Sequence, residues 1–336
     1  MGDKLSVVTG ATGHVGYALV KKLEARGENF RILIRKDSKI FDGINCERVF
    51  GDVTDPASLE KAFEGADVVY HLAGVIEINK GNEDMTWKVN VDGTKNVVEA
   101  CKKCGVKRLV YASSVDAYPP LPDNQVMREI SHFNPEILDG TYAKTKATAT
   151  NYVFENNDDK LETVVCYPGA CCGPYDFKVS SVGEMVRMFL KGKFPVSLSF
   201  GAYNFVDVRD VAKGMIGAAE KGRPGEGYIL TDEVVTVDQL IHMLADICGF
   251  KAPSLKISLG LANAFAPLME VRGGHYNAAK KTPLFTRYSI RKLTSNCNFS
   301  CEKAKEELGY APMGAKQSFT DMVAWIKEYE GTGKKK

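Results

Sequence analysis

The chain has 336 residues, of which 44% are hydrophobic and 26% charged, as in an ordinary globular protein with a large core. Its 44 basic and 42 acidic residues leave a net charge of +2, so there is no general electrostatic reason to bind nucleic acid or anionic lipid. The start of the chain lacks a signal-peptide pattern, no apolar stretch is long enough for a bilayer, and nine irregularly spaced cysteines favour a reducing compartment. We therefore expect a cytoplasmic protein without a transmembrane segment or a nucleic-acid partner.

Short apolar runs rich in β-branched residues recur along the first half of the chain, separated by stretches with helical periodicity. The predicted strands are Leu5 to Val8, Arg31 to Ile34, Val68 to Leu72, Leu109 to Ala112 and Thr163 to Tyr167. The predicted helices are Val15 to Arg26, Ser58 to Phe63, Val89 to Lys103 and Tyr142 to Glu155. Because strand and helix alternate, the pattern predicts the α/β class with a Rossmann-type doubly wound parallel sheet.

The alternation weakens from about Gly173, where we predict the start of a smaller C-terminal substrate lobe. Residues 1–172 are predicted to form a dinucleotide-binding domain, to which residues 202–232 return. Residues 173–201 and 233–330 are predicted to form the substrate-binding lobe. The glycines and lysines of residues 331–336 are typical of a disordered tail.

Glycines at GxxGxxG spacing follow the first predicted strand directly and lead into a helix. Glycines there permit a tight turn, close approach of the backbone to a pyrophosphate, and close packing of helix on strand. The helix N-terminus adds oriented N–H donors. The pattern predicts a dinucleotide site, with a glycine-rich turn that binds nothing as the alternative. The predicted residues are Thr9, Gly10, Thr12, Gly13, His14, Val15 and Gly16.

The end of the second strand distinguishes the two nicotinamide cofactors. A carboxylate there binds the ribose hydroxyls of NAD, whereas an arginine accepts the 2′-phosphate of NADP. This chain has Arg35 and Lys36, with Asp37 one step later. NADP(H) is therefore the predicted cofactor, and NAD(H) is the alternative if Asp37 takes the place of the carboxylate.

The ends of the third and fourth strands carry further predicted cofactor contacts. Asp52, followed by Val53, can accept a hydrogen bond from the adenine amino group. Small residues in the segment Leu72, Ala73 and Gly74 let the cofactor pass over the strand ends. His71 is predicted to pack under the glycine loop without a chemical role.

Cys101 and Cys104 form a CxxC pair on a predicted helix. No second pair stands at the spacing of a zinc ribbon, so we predict no metal site and expect the thiols to be core residues.

Tyr142 and Lys146 are four residues apart and therefore share one face of a predicted helix. A tyrosine has an ordinary pKa near ~10, and an ammonium group one turn away would favour the phenolate. The same ammonium could hold the nicotinamide ribose hydroxyls. YxxxK also occurs by chance on surface helices, but Ser113 and Ser114 end a strand upstream, where a hydroxyl can hold a substrate carbonyl. The combination favours a catalytic site.

With these motifs the chain resembles the extended short-chain dehydrogenase/reductase superfamily, of the NAD-dependent epimerase/dehydratase type, over essentially its whole length. The motifs are TGATGHVG, GDVTD, HLAG, NVDGT, YASS, YAKTK, YPG and FVDVRDVA. The resemblance implies that Ser114, Tyr142, Lys146 and Asn90 are catalytic, with Ser113 as the fallback for the serine. It also implies that the Asn90 carbonyl supports a water molecule in the proton relay, and that Tyr167, Pro168 and Gly169 cover the nicotinamide.

Within the superfamily the chain is most similar to the 3β-hydroxysteroid dehydrogenase branch, through His71 to Ala117 and Tyr288 to Pro312. Plant-type ketone and aldehyde reductases share the arginine at Arg35. The expected activity is interconversion of a ketone or aldehyde and an alcohol on an apolar small molecule, by a monomer or homodimer.

Two alternative functions are compatible with parts of the sequence. An epimerase or dehydratase acting on a nucleotide-linked sugar would need cations for the diphosphate, and Arg187, Arg272 and Arg287 could serve. Asn204, however, stands where many such enzymes have an arginine. A sensor or scaffold that binds NADPH without turnover would not require Ser114, Tyr142 and Lys146 together.

An apolar run in the predicted substrate lobe has helical spacing, so that some of its residues share one face. This face could pack into the core of the lobe, or it could act as a lid over an apolar substrate or touch a membrane surface. The run consists of Leu259, Leu261, Ala262, Phe265, Ala266 and Met269. The face that they would share consists of Leu261, Phe265 and Met269.

Overall fold

A central sheet of seven parallel strands organises the protein, whose computed structural model describes residues 4–76, 82–123, 125–192, 194, 196–265 and 287–333. Its strands are β1 (Leu5–Thr9), β2 (Asn29–Ile34), β3 (Glu47–Phe50), β4 (Val68–His71), β5 (Arg108–Ala112), β6 (Glu162–Pro168) and β10 (Glu226–Leu230). They lie in the order β3-β2-β1-β4-β5-β6-β10. The predicted Rossmann-type doubly wound sheet is confirmed.

Helices cover both faces of this sheet. They are α1 (His14–Ala25), α2 (Pro56–Phe63), α3 (Glu83–Trp87), α4 (Gly93–Cys104), α5 (Thr141–Glu155) and α7 (Val208–Lys221). Neighbouring residues of a strand point to opposite faces, so Val7 packs in the core beneath α2, α4 and α5, whereas Val8 packs beneath α1 and α7. Burial on both faces explains why the strands are continuous apolar runs rather than alternating ones.

The second lobe is built around a three-stranded sheet in the order β11-β9-β7. Its strands are β7 (Ala170–Cys172), β9 (Ala202–Asp207) and β11 (Glu233–Thr236), and a separate pair consists of β8 (Ser197–Leu198) and β12 (Lys256–Ile257). Its helices are α6 (Ser181–Leu190), α8 (Val237–Cys248), α9 (residues 259–265), α10 (Arg287–Thr294) and α12 (Ala315–Gly333). Phe205, Leu240 and Phe319 lie in its core. Between α10 and α12 the chain forms α11 (Glu302–Leu308), which packs on the first lobe.

The division of the chain differs from the expected one in three places. Of residues 202–232, α7 and β10 return to the first lobe, but β9 pairs with β7 and β11 in the second. Helix α11, expected in the substrate lobe, packs Ala304 and Leu308 into the core under α1 and α7. The predicted tail from residue 331 was wrong for residues 331–333, which continue α12, because a glycine in a helix costs only about 1 kcal/mol. Residues 334–336 lie outside the described residues.

The nine cysteines are all free thiols. Cys101 is buried in the core, and the thiol of Cys104 donates a hydrogen bond to the Glu60 carbonyl oxygen at 3.5 Å. Within the described ranges, no group of His, Cys, Asp and Glu side chains is arranged to hold a metal ion. Across the same ranges, no helix has both the length and the apolar character that a bilayer span requires.

Candidate active site

The glycine loop between β1 and α1 is shaped by backbone contacts. Gly10 has a φ of +72°, and a Cβ atom there would lie 2.5 Å from the main chain of Leu72 and Ala73. A Cβ on Gly16 would collide with the Gly10 carbonyl oxygen, which accepts a hydrogen bond from the Gly13 N–H at 2.9 Å. Side chains are therefore excluded where β4, the loop and α1 meet, at the carboxyl edge of the sheet.

His71 lies under this loop, as predicted. Its Nδ1 is 2.8 Å from the Thr9 hydroxyl and its Nε2 is 3.0 Å from the Thr94 hydroxyl. Because the Thr94 hydroxyl donates to the Asn90 carbonyl, the network assigns the Nε2–H tautomer to His71. Burial, and then the charge of Lys146, lowers the pKa of His71 to about 3, so the imidazole stays neutral. Its role is to hold β1, β4 and α4 together.

The adenine end of the groove lies at the ends of β2 and β3. The Arg35 side chain is 77% exposed, and its Nε is 4.0 Å from Oδ2 of Asp52. The other carboxylate oxygen of Asp52 accepts hydrogen bonds from the N–H and hydroxyl of Thr54, at 2.9 and 2.8 Å. Lys36 is exposed beside them, whereas Val53 is buried. The position predicted to choose between NADP and NAD is thus accessible, with one Asp52 oxygen already engaged.

Lys146 is buried at the centre of the site. Its ammonium group donates to the Ala112 carbonyl oxygen at 2.7 Å and to the Tyr111 hydroxyl at 3.3 Å, and it lies 4.8 Å from the centre of the Tyr111 ring. A Cβ on Gly74 would be 3.6 Å from Nζ, so the absence of a side chain there leaves the ammonium group open toward the groove. Burial lowers the pKa of Lys146 to about 7. The sequence did not single out Tyr111, because its aromatic side chain belongs to an apolar strand.

Asn90 lies in a π-helical turn, Lys88–Asp92, between α3 and α4. Its side-chain amide donates to the Val75 carbonyl oxygen at 3.0 Å and to the Thr145 hydroxyl at 3.1 Å. The Asn90 main-chain oxygen accepts the Thr94 hydroxyl at 2.6 Å.

The two adjacent serines point in different directions. The hydroxyls of Ser113 and Thr150 are 2.6 Å apart inside the protein. Ser114 lines a cavity, where its Oγ accepts the Asp116 N–H at 3.1 Å and its side chain is hydrogen bonded to Tyr142. The geometry therefore favours Ser114 over Ser113 as the residue that meets a substrate.

Tyr142 does not have the lowered pKa that the spacing to Lys146 predicts. Burial, and then the charge of Asp116, raises the pKa of Tyr142, while the hydrogen bond from Ser114 acts in the opposite direction. Lys146 is buried and Tyr142 is partly buried, and desolvation disfavours the ammonium and the phenolate alike. In the protein without cofactor, desolvation is the larger effect.

A cavity of about 390 Å³ opens above Ser114. Its apolar wall includes Tyr118, Met127, Ile137, Leu138 and Phe299. Its rim carries two ion pairs, Asp116 with Lys292 at 2.7 Å and Asp139 with Arg291 at 3.3 Å. The cavity is therefore mainly apolar, with paired charges at its mouth.

Tyr167, predicted to cover the nicotinamide, turns its ring into the core. The ring packs edge-on against Tyr118 at 5.1 Å, and a Cβ on Gly227 would lie 2.5 Å from it. Gly169, by contrast, lines the cavity. A covering role for this segment could therefore come only from Pro168, Gly169 and the main chain.

The apolar run of the second lobe divides between two environments. Leu261 and Phe265 are 47% and 54% exposed, whereas Ala262 is buried against Ile290. Leu259 is 38% exposed, and Ala266 and Met269 lie outside the described residues. The two described members of the predicted face therefore do not pack into the core.

The fold and the relatives of this chain place it in the class of nicotinamide-dependent oxidoreductases. The model of the NAD dependent epimerase/dehydratase family matches residues 6–230, and the chain belongs to that family. It is 34% identical to sterol demethylase protein B of Methylococcus capsulatus, over 96% of this chain and 98% of the relative. It is 27% identical to a 3-beta-hydroxysteroid dehydrogenase of Mycolicibacterium neoaurum, over 91% of this chain and 87% of the relative.

A solved structure, gox2253, superposes with a TM-score of 0.83 at 31% identity, covering 97% of this chain and 98% of that one. These likenesses confirm the predicted extended short-chain dehydrogenase/reductase superfamily, and the relatives include 3-beta-hydroxysteroid dehydrogenases. The protein is an NAD(P)-dependent oxidoreductase of this type.

Proposed function

We propose that this protein interconverts a ketone or aldehyde and the corresponding alcohol on an apolar small molecule of steroid-like bulk, using NADP(H). The observation that carries the proposal is the convergence of three groups. Ser114 lines the cavity, its side chain is hydrogen bonded to Tyr142, and Lys146 lies buried beneath the groove on the same helix as Tyr142.

The residues present fit a dinucleotide, because the glycine loop excludes side chains where a pyrophosphate would approach α1. The bound cofactor would supply or accept the hydride. Gly10, Gly13 and Gly16 would hold the pyrophosphate, and Lys146, open toward the groove past Gly74, would hold the nicotinamide ribose.

In the reduction direction, the Tyr142 hydroxyl gives its proton to the carbonyl oxygen of the substrate, while the Ser114 hydroxyl donates a hydrogen bond to the same oxygen. Lys146, with a pKa of about 7, can exchange a proton near neutrality. Asn90 holds the π-helical turn against Val75 and Thr145, so its main-chain oxygen faces one fixed direction.

An apolar substrate fits the cavity better than a nucleotide-linked sugar does. Each of the two cations at the described rim forms an ion pair with an acid, so the rim offers no excess positive charge to a diphosphate. Arg187 is engaged with Asp176 inside the protein, and Asn204 supplies an amide in place of a cation. Arg272 and the side chain of Arg287 lie outside the described residues.

Turnover of a substrate panel tests the activity. NADPH consumption should occur with bulky steroid ketones and not with UDP-sugars, and product analysis detects epimerisation that leaves the cofactor unchanged. Tyr142→Phe keeps the ring and removes the proton donor, so turnover should fall at least about a hundredfold with cofactor affinity retained. Near wild-type turnover in this variant would contradict the mechanism, and cofactor binding without any turnover would favour a sensor.

Cofactor preference tests the NADP(H) assignment. Arg35→Asp exchanges an attraction for the 2′-phosphate for a repulsion, and one such charged contact is worth about 1–3 kcal/mol. The ratio of NADPH to NADH affinity should therefore fall by about tenfold or more. Wild-type protein that already prefers NADH would refute the assignment.

A further inference from the structure

The segment that follows β7 crosses the glycine loop. We call residues Gly173–Val179 the strap. The His14 imidazole, at the start of α1, donates from Nε2 to the Pro174 carbonyl oxygen at 2.8 Å. At the far end of the strap, the Lys178 ammonium group donates to the hydroxyl of Thr12, inside the glycine loop, at 2.9 Å. The strap is thus attached to both the loop and the helix of the dinucleotide site.

A buried ion pair holds the middle of the strap. Arg187 Nη1 is 3.0 Å from Oδ2 of Asp176, and both side chains are almost fully buried. Oδ1 of Asp176 accepts the Ser180 N–H at 2.8 Å, and Arg187 also donates to the Asp176 carbonyl oxygen at 3.3 Å. Arg187 also pairs with Glu330 at 2.6 Å, so it is Asp176 that would be left as an unpaired buried charge if Arg187 were removed, and this point of the strap is firmly anchored.

Aromatic rings hold the strap from both sides. The Phe177 ring packs edge-on against Tyr17 of α1 at 4.9 Å and against Trp325 of α12 at 5.2 Å. Tyr175 and Val179 have φ values of +74° and +54°, which side-chain-bearing residues rarely adopt, least of all a β-branched one. The anchors therefore hold a conformation that the backbone alone disfavours, and this conformation presents Lys178 to the groove.

Lys178 and Arg35 lie at the same edge of the sheet, because Lys178 is hydrogen bonded to Thr12, just past β1, and Arg35 follows β2, the parallel neighbour of β1. Partial burial, and then the charge of Arg35, lowers the pKa of Lys178. The contact that orients its ammonium group is a neutral hydroxyl, that of Thr12. Two cations placed near each other at the rim of a groove repel, and a bound anion would turn this repulsion into attraction.

We propose that Lys178 and Thr12 of the strap and loop, together with Arg35, form the binding site for the 2′-phosphate of NADP(H). This inference rests on the proposed cofactor and adds the residues that would select it. Arg35 stands where a 2′-phosphate is recognised in this fold, and Lys178 is hydrogen bonded to Thr12 at the end of the neighbouring strand β1. The phosphate is therefore held between two lobes rather than on one loop.

Equilibrium binding to purified full-length protein tests the site without any catalytic readout. Dissociation constants are measured for NADPH, NADH, adenosine 2′,5′-bisphosphate and AMP. Lys178→Met keeps the apolar stem and should weaken NADPH and adenosine 2′,5′-bisphosphate at least about tenfold, with NADH and AMP changed less than about twofold. Thr12→Val should weaken the binding of the same two ligands by a smaller factor. Lys191→Met, which removes an exposed charge at the end of α6, is the matched control and should change none of them.

Each other outcome overturns the assignment. Equal weakening of NADPH and NADH would place Lys178 at the pyrophosphate, and unchanged affinities would leave it without a role in binding. If wild-type protein shows no preference for NADPH, the proposed cofactor itself fails. If wild-type protein prefers NADPH and Arg35→Asp removes the preference while Lys178→Met does not, only the present inference fails.

Discussion

The two sides of the catalytic cleft are built in different ways. The floor consists of the glycine loop, the ends of β4 and β5, and α5, and its members are joined by buried hydrogen bonds such as those of His71 and Lys146. The rim comes from distant segments joined largely by exposed ion pairs, including Asp139 with Arg291, which contribute about 0–1 kcal/mol each. Substitutions can therefore reshape the rim at small cost, whereas the floor tolerates few changes. This difference explains how one family keeps its cofactor chemistry and varies its substrates.

The largest expected effect is at Gly10 in the floor. An alanine there combines a φ of +72° with a Cβ 2.5 Å from the Leu72 and Ala73 backbone, so we expect loss of measurable cofactor binding and of stability. Gly27→Ala is the matched control, because Gly27 has a φ of +67° and no atom within 4 Å of the added Cβ. The control should lose only about 1–2 kcal/mol and bind cofactor normally. Urea unfolding measures the loss of stability, and NADPH titration measures the loss of affinity. Equal losses for Gly10→Ala and Gly27→Ala would contradict this prediction.

The buried Lys146 should make the stability of the floor depend on pH. Its pKa is about 7 in the folded protein against an ordinary value of 10.5, so between these values the unfolded chain retains a proton that the folded protein has released. Stability therefore rises with pH from about 7 to 10.5, and the contribution of this group is constant below 7 and above 10.5, where both states carry the same number of protons. Relative to Lys146→Met, the wild type should gain on the order of a few kcal/mol across this window.

Urea unfolding of both proteins at several pH values measures this difference. Lys144→Met, two residues along α5 and directed away from the groove, serves as the control for the loss of one charge. Parallel pH profiles for wild type and Lys146→Met would show that the folded protein keeps Lys146 protonated.

The smallest expected effect is at Phe265, in α9 of the second lobe. Its side chain is 54% exposed, so Phe265→Ala should change the free energy of unfolding by no more than about 0.5 kcal/mol. The side chain of Ile290 is only 2% exposed, so Ile290→Ala should lower the free energy of unfolding by about 2–5 kcal/mol. If α9 is a lid, Phe265→Ala also raises the KM for bulky apolar ketones more than that for small aldehydes. A large loss of stability would assign Phe265 to the core.

Much of the fold and of the floor could be predicted from local pattern. The β-branched runs predicted the first strands, and the glycine spacing and the Tyr142–Lys146 spacing located the loop and the face of α5. These predictions succeed because each depends on residues within one or two turns of the chain. The pKa of Tyr142 could not be predicted in this way, because burial by several elements outweighs the charge of its helical neighbour.

The sequence by itself determined the parallel sheet, the glycine loop between β1 and α1, and the common helix of Tyr142 and Lys146, since periodicity and backbone sterics act locally. Only the tertiary structure decided that Ser114 rather than Ser113 faces the cavity, that β9 joins the second sheet, and that Lys178 meets Thr12. Lys178 and Thr12 are 166 positions apart in the chain. A contact between residues so far apart in the chain depends on how the lobes pack. The strap that carries Lys178 is held in place by the Asp176–Arg187 pair and by the rings around Phe177.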